Sequence, residues 1–253
     1  MNNQPKRIKR GWMTLKVSQI DNETHDTKTL HFVDAEEGGR QFDYIPGQYL
    51  TFRFDDISDK PVVRSYTMSS SPCQENFISV TVKEIEDGFI SKHLVRNVKV
   101  GDLLRARGPI GKFCYHPKDE KHLVMFAAGS GVTPFLSALR EYSPHLGEAG
   151  YPTKLSLLVG YRSRKDWICK QLLQESAQYK GVQIVTTLSQ EDATAEGFWH
   201  GRIDTHKIDK FMEGNYQETT YMTCGPGALM ELTATHLRSK GVHEENIKSE
   251  SFD

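Results

Sequence analysis

Two short stretches carry most of the chemistry in this sequence. The first is Arg64-Ser65-Tyr66-Thr67-Met68-Ser69-Ser70. Arg64 offers a planar cation whose fork matches a diphosphate. In a strand, Tyr66 shares a face with Arg64 and can lay its ring on a planar heterocycle, while Thr67 adds a hydroxyl beside it. The second stretch is Ala127-Ala128-Gly129-Ser130-Gly131-Val132-Thr133-Pro134. Glycines after a strand let a phosphate approach the backbone and the N-terminus of the following helix. Cys224-Gly225-Pro226-Gly227 repeats that device later, with a thiol at the strand end. Each motif alone has a plainer reading: an exposed Arg beside a packed Tyr, a common glycine turn, a cysteine acting as a small core hydrophobe. Their order and company carry the argument.

The elements that must position them fall into two textures. From Gly11 to about Pro117, short stretches alternate with period two: Met13–Val17, Leu30–Val33, Tyr49–Phe54 and Phe77–Val82. This predicts half-buried strands. Gly38-Gly39, Pro46-Gly47 and Asp87-Gly88 punctuate them. Many short strands without a long helix predict a closed antiparallel barrel. One short helix opens at Gly88-Phe89-Ile90-Ser91, whose N-terminal amides suit a phosphate or merely cap a turn. Gly101-Asp102 and Gly108-Pro109-Ile110-Gly111 read as turns at the barrel's end.

After Lys121 the pattern changes. His122–Ala128 is a continuous apolar run, as in a parallel strand buried on both faces. Further strands are expected at Leu155–Val159, Gln183–Thr187, Thr220–Cys224 and Ile247–Glu250, with helices near 135–142, 166–179 and 227–240. That alternation predicts a doubly wound parallel sheet, whose ligands bind beyond the carboxyl ends of its strands. The expected domains are 1–118 and 119–253, divided in the polar stretch Pro117–Glu120.

The order R-x-Y-T at Arg64–Thr67, then Thr81-Val82-Lys83, then G-x-x-S at Gly88–Ser91, then G-P-x-G-x-F at Gly108–Phe113 resembles the ferredoxin–NADP reductase superfamily. The second half agrees. Pro134 replaces the last glycine of the usual dinucleotide fingerprint, which is similar to that family's G-x-G-x-x-P. The resemblance implies a six-stranded barrel that binds FAD, followed by an α/β domain that binds NAD(P). It implies that Arg64 and Ser91 hold the pyrophosphate, that Tyr66 stacks on the flavin, and that Thr67 hydrogen-bonds N5. Ser65, Thr81, Val82, Lys83, Gly88, Phe89 and Ile90 complete the implied FAD set. Gly129 to Pro134, Gly225 and Pro226 form the implied NAD(P) set, to which Arg162 and Arg164 are added from their place after a strand, and the resemblance puts Cys224 beside the nicotinamide C4 and the flavin N5. Glu250 and Phe252 fit a closing E-x-aromatic, with Phe252 against the flavin ring and one residue beyond it. With Thr67, Cys224 and Glu250 nearest the chemistry, the implied activity is hydride transfer from NAD(P)H to FAD and single-electron delivery to a separate iron–sulfur or haem protein.

Alternatives remain within the same resemblance: a flavin-containing regulator of a partner enzyme, a free flavin or ferric reductase, or FMN in place of FAD. Arg162-Ser163-Arg164 could meet a 2′-phosphate or merely solvate a loop. Where NADP-preferring relatives carry a Ser-Arg or Thr-Arg pair, this chain reads Thr187-Leu188-Ser189-Gln190, so the expectation leans to NADH.

Composition narrows the remaining classes. A net charge of -1 gives no bulk electrostatic case for nucleic acid or membrane binding. No apolar run approaches a membrane span. Lys6, Arg7, Lys9 and Arg10 read as a solvated tail. Cys73, Cys114, Cys169 and Cys224 lie far apart, without CxxC, which argues against a zinc knuckle or an iron–sulfur loop. No histidine spacing predicts a metal site. A reducing, cytoplasmic setting and a monomer are expected.

Overall fold

A computed structural model describes residues 11–39, 42–55, 57, 59–73, 76–116 and 121–252. The basic stretch before Gly11, the expected junction at residues 118 and 119, and Asp253 lie outside the described residues. The chain separates into two compact units, residues 1–114 and 115–253.

The first unit is a six-stranded antiparallel sheet of β1 (Met13–Thr24), β2 (Thr27–Asp34), β3 (Tyr49–Phe54), β4 (Val62–Thr67), β5 (Ile78–Lys83) and β6 (Leu103–Ile110). The order across it is β4-β3-β6-β1-β2-β5. Period two is visible in β1, where Met13, Leu15 and Val17 are buried and Thr14 and Lys16 are exposed. The inward residues of all six strands share one core, with Leu30, Phe32, Leu50, Phe52, Val80 and Ala106 fully enclosed. The end strands meet just past β4, where Met68 bridges Val80 and the Ser69 amide donates to the Ser79 carbonyl at 2.8 Å. That bridge closes the sheet into a barrel. α1 (Phe89–Arg96) follows β5 and buries Ile90, Leu94 and Val95.

β6 fills the gap between the expected turns at Gly101-Asp102 and Gly108–Gly111, and takes Gly108, Pro109 and Ile110 into a strand rather than an end turn. Leu104 and Ala106 point inward while Arg105 and Arg107 point out, and the strand lies between β1 and β3 at the centre of the sheet. Its charged outward residues and its Gly-Pro pair masked an ordinary period of two.

The second unit is a parallel sheet of β7 (His122–Ala128), β8 (Lys154–Tyr161), β9 (Val182–Leu188), β10 (Trp199–His200), β11 (Thr219–Cys224) and β12 (Ile247–Glu250). Its order is β10-β9-β8-β7-β11-β12. Its helices are α2 (Thr133–Tyr142), α3 (Lys170–Ser176), α4 (Thr205–Met212) and α5 (Gly227–Ser239). β7 is buried along Leu123–Ala127, as the unbroken apolar run requires. The chain winds outward from β7 through β8, β9 and β10, then returns to β11 on its other side. The direction of winding therefore reverses between β7 and β11, which places a crevice at their carboxyl ends. β10 and α4 have no counterpart in the sequence reading. β10 is only two residues long, and α4 holds its place with three buried residues, Ile208, Phe211 and Met212.

Candidate functional site

In the barrel, the free edges of β4 and β5 pair with no other strand among the described residues before they meet at Met68 and Val80. An opening results. One lip carries Arg64, Ser65, Tyr66 and Thr67; the other carries Thr81, Val82 and Lys83, and leads through a turn into α1. Inward and outward alternation sorts the first lip. Tyr66 pairs with Leu50 and Arg64 with Phe52, so both lean over the core rim, while Ser65 turns to the outer wall. The Tyr66 ring lies 6.1 Å from that of Phe52, and burial pushes its phenol up to about 12 despite the opposing pull of Arg64. Arg64 is exposed, and its Nη1 donates to its neighbour's carbonyl, Val63 O, at 2.7 Å. Thr67 is 4% exposed, yet its hydroxyl takes no partner among the described residues.

The second lip is more committed. Val82 is a core side chain, leaving only its backbone to the opening. Thr81 Oγ1 donates to Ser69 Oγ at 2.9 Å and lies 2.9 Å from Thr29 Oγ1. Lys83 is paired with Asp26. At the head of α1, the amides of Phe89, Ile90 and Ser91 belong to the first turn, where no intrahelical acceptor exists. Gly88 caps the helix without a side-chain bond. The Ser91 hydroxyl folds back onto the turn, donating to Gly88 O at 3.0 Å and accepting from the Ile85 amide at 3.2 Å. A Cβ on Gly88 would lie 2.3 Å from that oxygen, so the glycine lets the hydroxyl close the turn. Phe89 stays 58% exposed beside these amides. Free helix-terminal amides, an exposed guanidinium, a half-buried ring and an unpartnered hydroxyl fit a large anionic aromatic group such as a flavin dinucleotide.

The second unit builds its floor from backbone. Gly129–Val132 forms a single 3-10 turn between β7 and α2, with Pro134 in the first turn of that helix. Gly129 has φ +56 and open space where a Cβ would go. Gly131 is the opposite case: a Cβ there would lie 2.2 Å from the Cys224 carbonyl oxygen. The two glycine turns thus touch main chain to main chain at the crevice, and Gly225 adopts φ +151 beside Ala128. Val132 and Thr133 are buried under the turn, while Ser130 is half-exposed and Pro226 exposed.

Cys224 pairs in register with Ala127 on one side and Glu250 on the other. Its thiol is fully buried, and burial, reinforced by the Glu250 charge, pushes it far up. It is a neutral thiol at physiological pH, suited to packing against a ring and unsuited to nucleophilic attack. Glu250 has a buried Oε2 without a partner, and burial raises its carboxyl from 4.5 to about 7. Phe252 is 47% exposed.

Arg162 and Arg164 part company. The Arg162 side chain is exposed and takes no partner among the described residues. Arg164 is held by two carboxylates: its amide donates to Glu191 Oε2 at 2.8 Å, its Nε pairs with Glu191, and its Nη1 lies 2.6 Å from Glu196. The sequence reading missed both acids because they lie 27 and 32 residues downstream. It also missed a cleft beside them, bordered by Trp167 and Phe198, whose rings meet edge to face at 5.0 Å. Among the described residues no three potential ligands gather as a metal site, and no helix is long and apolar enough to cross a membrane.

Known proteins resemble this chain in sequence and in fold. Residues 14–115 match the family model for an oxidoreductase FAD-binding domain, and residues 125–235 match that for an oxidoreductase NAD-binding domain. The ferredoxin reductase component of 3-ketosteroid-9-alpha-monooxygenase from Rhodococcus rhodochrous is 29% identical over 240 residues, covering 94% of this chain and 64% of that protein. NADH-cytochrome b5 reductase 2 from Aspergillus clavatus is 33% identical over 165 residues, covering 65% of this chain and 50% of that protein. The chain thus spans half to two thirds of these relatives' length. The FAD/NAD-binding domain of nitric oxide dioxygenase from Vibrio cholerae has the same fold, with a TM-score of 0.83 at 24% identity, over 96% of this chain and 99% of that one. The chain belongs to the ferredoxin–NADP reductase superfamily, as an FAD-binding barrel followed by an NAD-binding α/β domain.

Proposed function

We propose that this protein takes a hydride from NADH onto bound FAD and delivers the electrons singly to a separate iron–sulfur or haem protein. FAD supplies the conversion between two-electron and one-electron transfer. The chain supplies position. Arg64 and the first amides of α1 hold the pyrophosphate, Tyr66 covers one face of the ring, and the Thr67 hydroxyl serves N5. Ser91 acts at one remove, shaping the turn that presents those amides. Gly129 to Pro134 and Gly225-Pro226 seat the dinucleotide, Cys224 packs where the nicotinamide must arrive, and Glu250 beside it holds a proton near neutrality. The observation that supports this reading is the unpaired stretch between β4 and β5, with Arg64 to Thr67 on one edge and, on the other, the strand that leads into α1.

The choice of NADH rests on Arg164. A 2′-phosphate reaching it would meet the carboxylates of Glu191 and Glu196, whereas a ribose hydroxyl finds acceptors there. Arg162 is left to meet the diphosphate.

The test is anaerobic stopped-flow mixing of the purified, FAD-loaded protein with NADH or NADPH. Rapid bleaching of the flavin band, faster with NADH, is the expected result. A protein that binds no FAD would overturn the roles given to Arg64 through Thr67. A flavin bleached by neither nucleotide would move the assignment to a flavin-containing regulator.

A further inference from the structure

The outer wall of the barrel carries a cluster that flavin and nucleotide chemistry leaves unused. Trp12, just ahead of β1, is 36% exposed, and three guanidiniums surround its ring. Arg107 lies 5.2 Å from the ring centroid, Arg105 5.7 Å and Arg53 6.0 Å. Strand register puts them there. Arg53 pairs directly with Arg105, Arg105 with Thr14, and Arg107 with Thr51. Their neighbours Phe52, Leu104 and Ala106 fill the core, so alternation turns every one of these arginines outward.

Two like charges directly opposite on neighbouring strands destabilise a sheet. Among the described residues one carboxylate answers them: Asp55, at 2.7 Å from Arg53 and 3.3 Å from Arg105. Among the described residues, three guanidiniums against one acid stand out in a chain with a net charge of -1. Lys16 is exposed on the same face. Two apolar side chains flank the cations, Val63 at 48% and Leu103 at 60% exposure.

We propose that this wall docks an acidic face of the protein that takes the electrons, an inference that rests on the reductase reading above. Tryptophan and arginine are the residues that most often dominate protein interfaces. The wall from β4 to β1 spans three strand spacings, about 14 Å, which suits the small contacts of electron-transfer pairs. It also begins at Ser65, in register with Thr51 and Arg107, and the neighbours of Ser65, Arg64 and Tyr66, form the proposed flavin lip on the other face of the same strand. A nucleic acid fits less well, because guanidiniums already crowd the indole on which a base would stack. An anionic membrane fits less well, because the exposed apolar residues are separated by charges and form no continuous face to insert.

The experiment uses the full FAD-loaded protein, ¹⁵N-labelled, and two acidic probes: a plant-type [2Fe–2S] ferredoxin and soluble cytochrome b5. Basic cytochrome c is the counter-probe. The Trp12 indole N–H resonance should shift on addition of an acidic probe, while those of Trp167 and Trp199 stay fixed. Raising the salt from about 20 to about 200 mM should weaken binding severalfold. The triple variant Arg53→Gln, Arg105→Gln, Arg107→Gln should bind about tenfold more weakly, with ferricyanide reduction by NADH unchanged. Trp12→Ala, which removes no charge, should cost less and keep the salt dependence. Absence of wild-type binding to both acidic probes, equal binding by the triple variant, or a Trp12 shift evoked only by anionic vesicles or an oligonucleotide would overturn the proposal. Binding as expected in a protein whose flavin no nucleotide bleaches would instead remove the reductase reading and leave the surface standing.

Discussion

The two halves of this protein prepare for their ligands in opposite ways. The barrel opening is made of side chains: Arg64 in solvent, Phe89 58% exposed, Thr67 with a hydroxyl that has no partner among the described residues. The α/β crevice is made of backbone, with Gly131 against the Cys224 carbonyl and a neutral thiol sealed beneath. A site of exposed side chains can lose a member and keep its fold, but its affinity falls. A site of touching main chains cannot be altered without moving the sheet. The difference suits the two ligands: side chains can wrap a group that stays, whereas a fixed backbone floor admits one that must come and go.

Gly131→Ala tests the backbone half most severely. Its methyl would lie 2.2 Å from a carbonyl oxygen, and neither turn can yield without displacing β11. A loss of about 3 kcal/mol or more is expected in urea unfolding, with nucleotide binding abolished. Gly129→Ala meets no atom, and only its left-handed φ opposes it, so about 1 kcal/mol is expected. Equal effects at the two positions would break the distinction.

Arg64→Ala tests the side-chain half. The unfolding midpoint of the flavin-free protein should be unchanged, because the residue is exposed, while FAD affinity falls by about tenfold to a hundredfold in fluorescence titration. Cys224→Ala should slow flavin bleaching by about tenfold through looser ring alignment, with FAD content unaffected.

Glu250 gives a pH signature. Its carboxyl is raised from 4.5 to about 7 by burial, so the folded chain holds that proton more tightly than the unfolded chain. The stability it contributes is full below pH 4.5 and is lost as the pH rises through about 7. Glu250→Gln should flatten that part of the stability–pH profile, read from urea midpoints between pH 4.5 and about 7. The smallest effect is expected at Glu191→Ala. Freeing Arg164 from one carboxylate should raise the rate with NADPH a fewfold relative to NADH.

Much of the fold was legible in the sequence because its strands obey simple periods. The bounds of β3 and β7 follow directly from alternation or from an unbroken apolar run. β6 did not, because Arg105, Arg107 and a Gly-Pro pair look like loop residues until neighbouring strands supply the inward contacts. The motifs were legible as well, but their division of labour was not. Ser91 is spent on its own turn, Lys83 on Asp26 and Arg164 on two acids, and each partner is too far along the chain or too generic to signal itself.

Residue types and local spacing are properties of the chain, so the sequence alone determined the two textures, the glycine turns and the order of the cofactor motifs. Which polar groups remain free depends on what the folded chain brings within hydrogen-bonding reach. Tertiary structure alone therefore decided that the Thr67 hydroxyl and Arg162 stay available, that Glu250 keeps its proton toward neutrality, and that three arginines converge on Trp12.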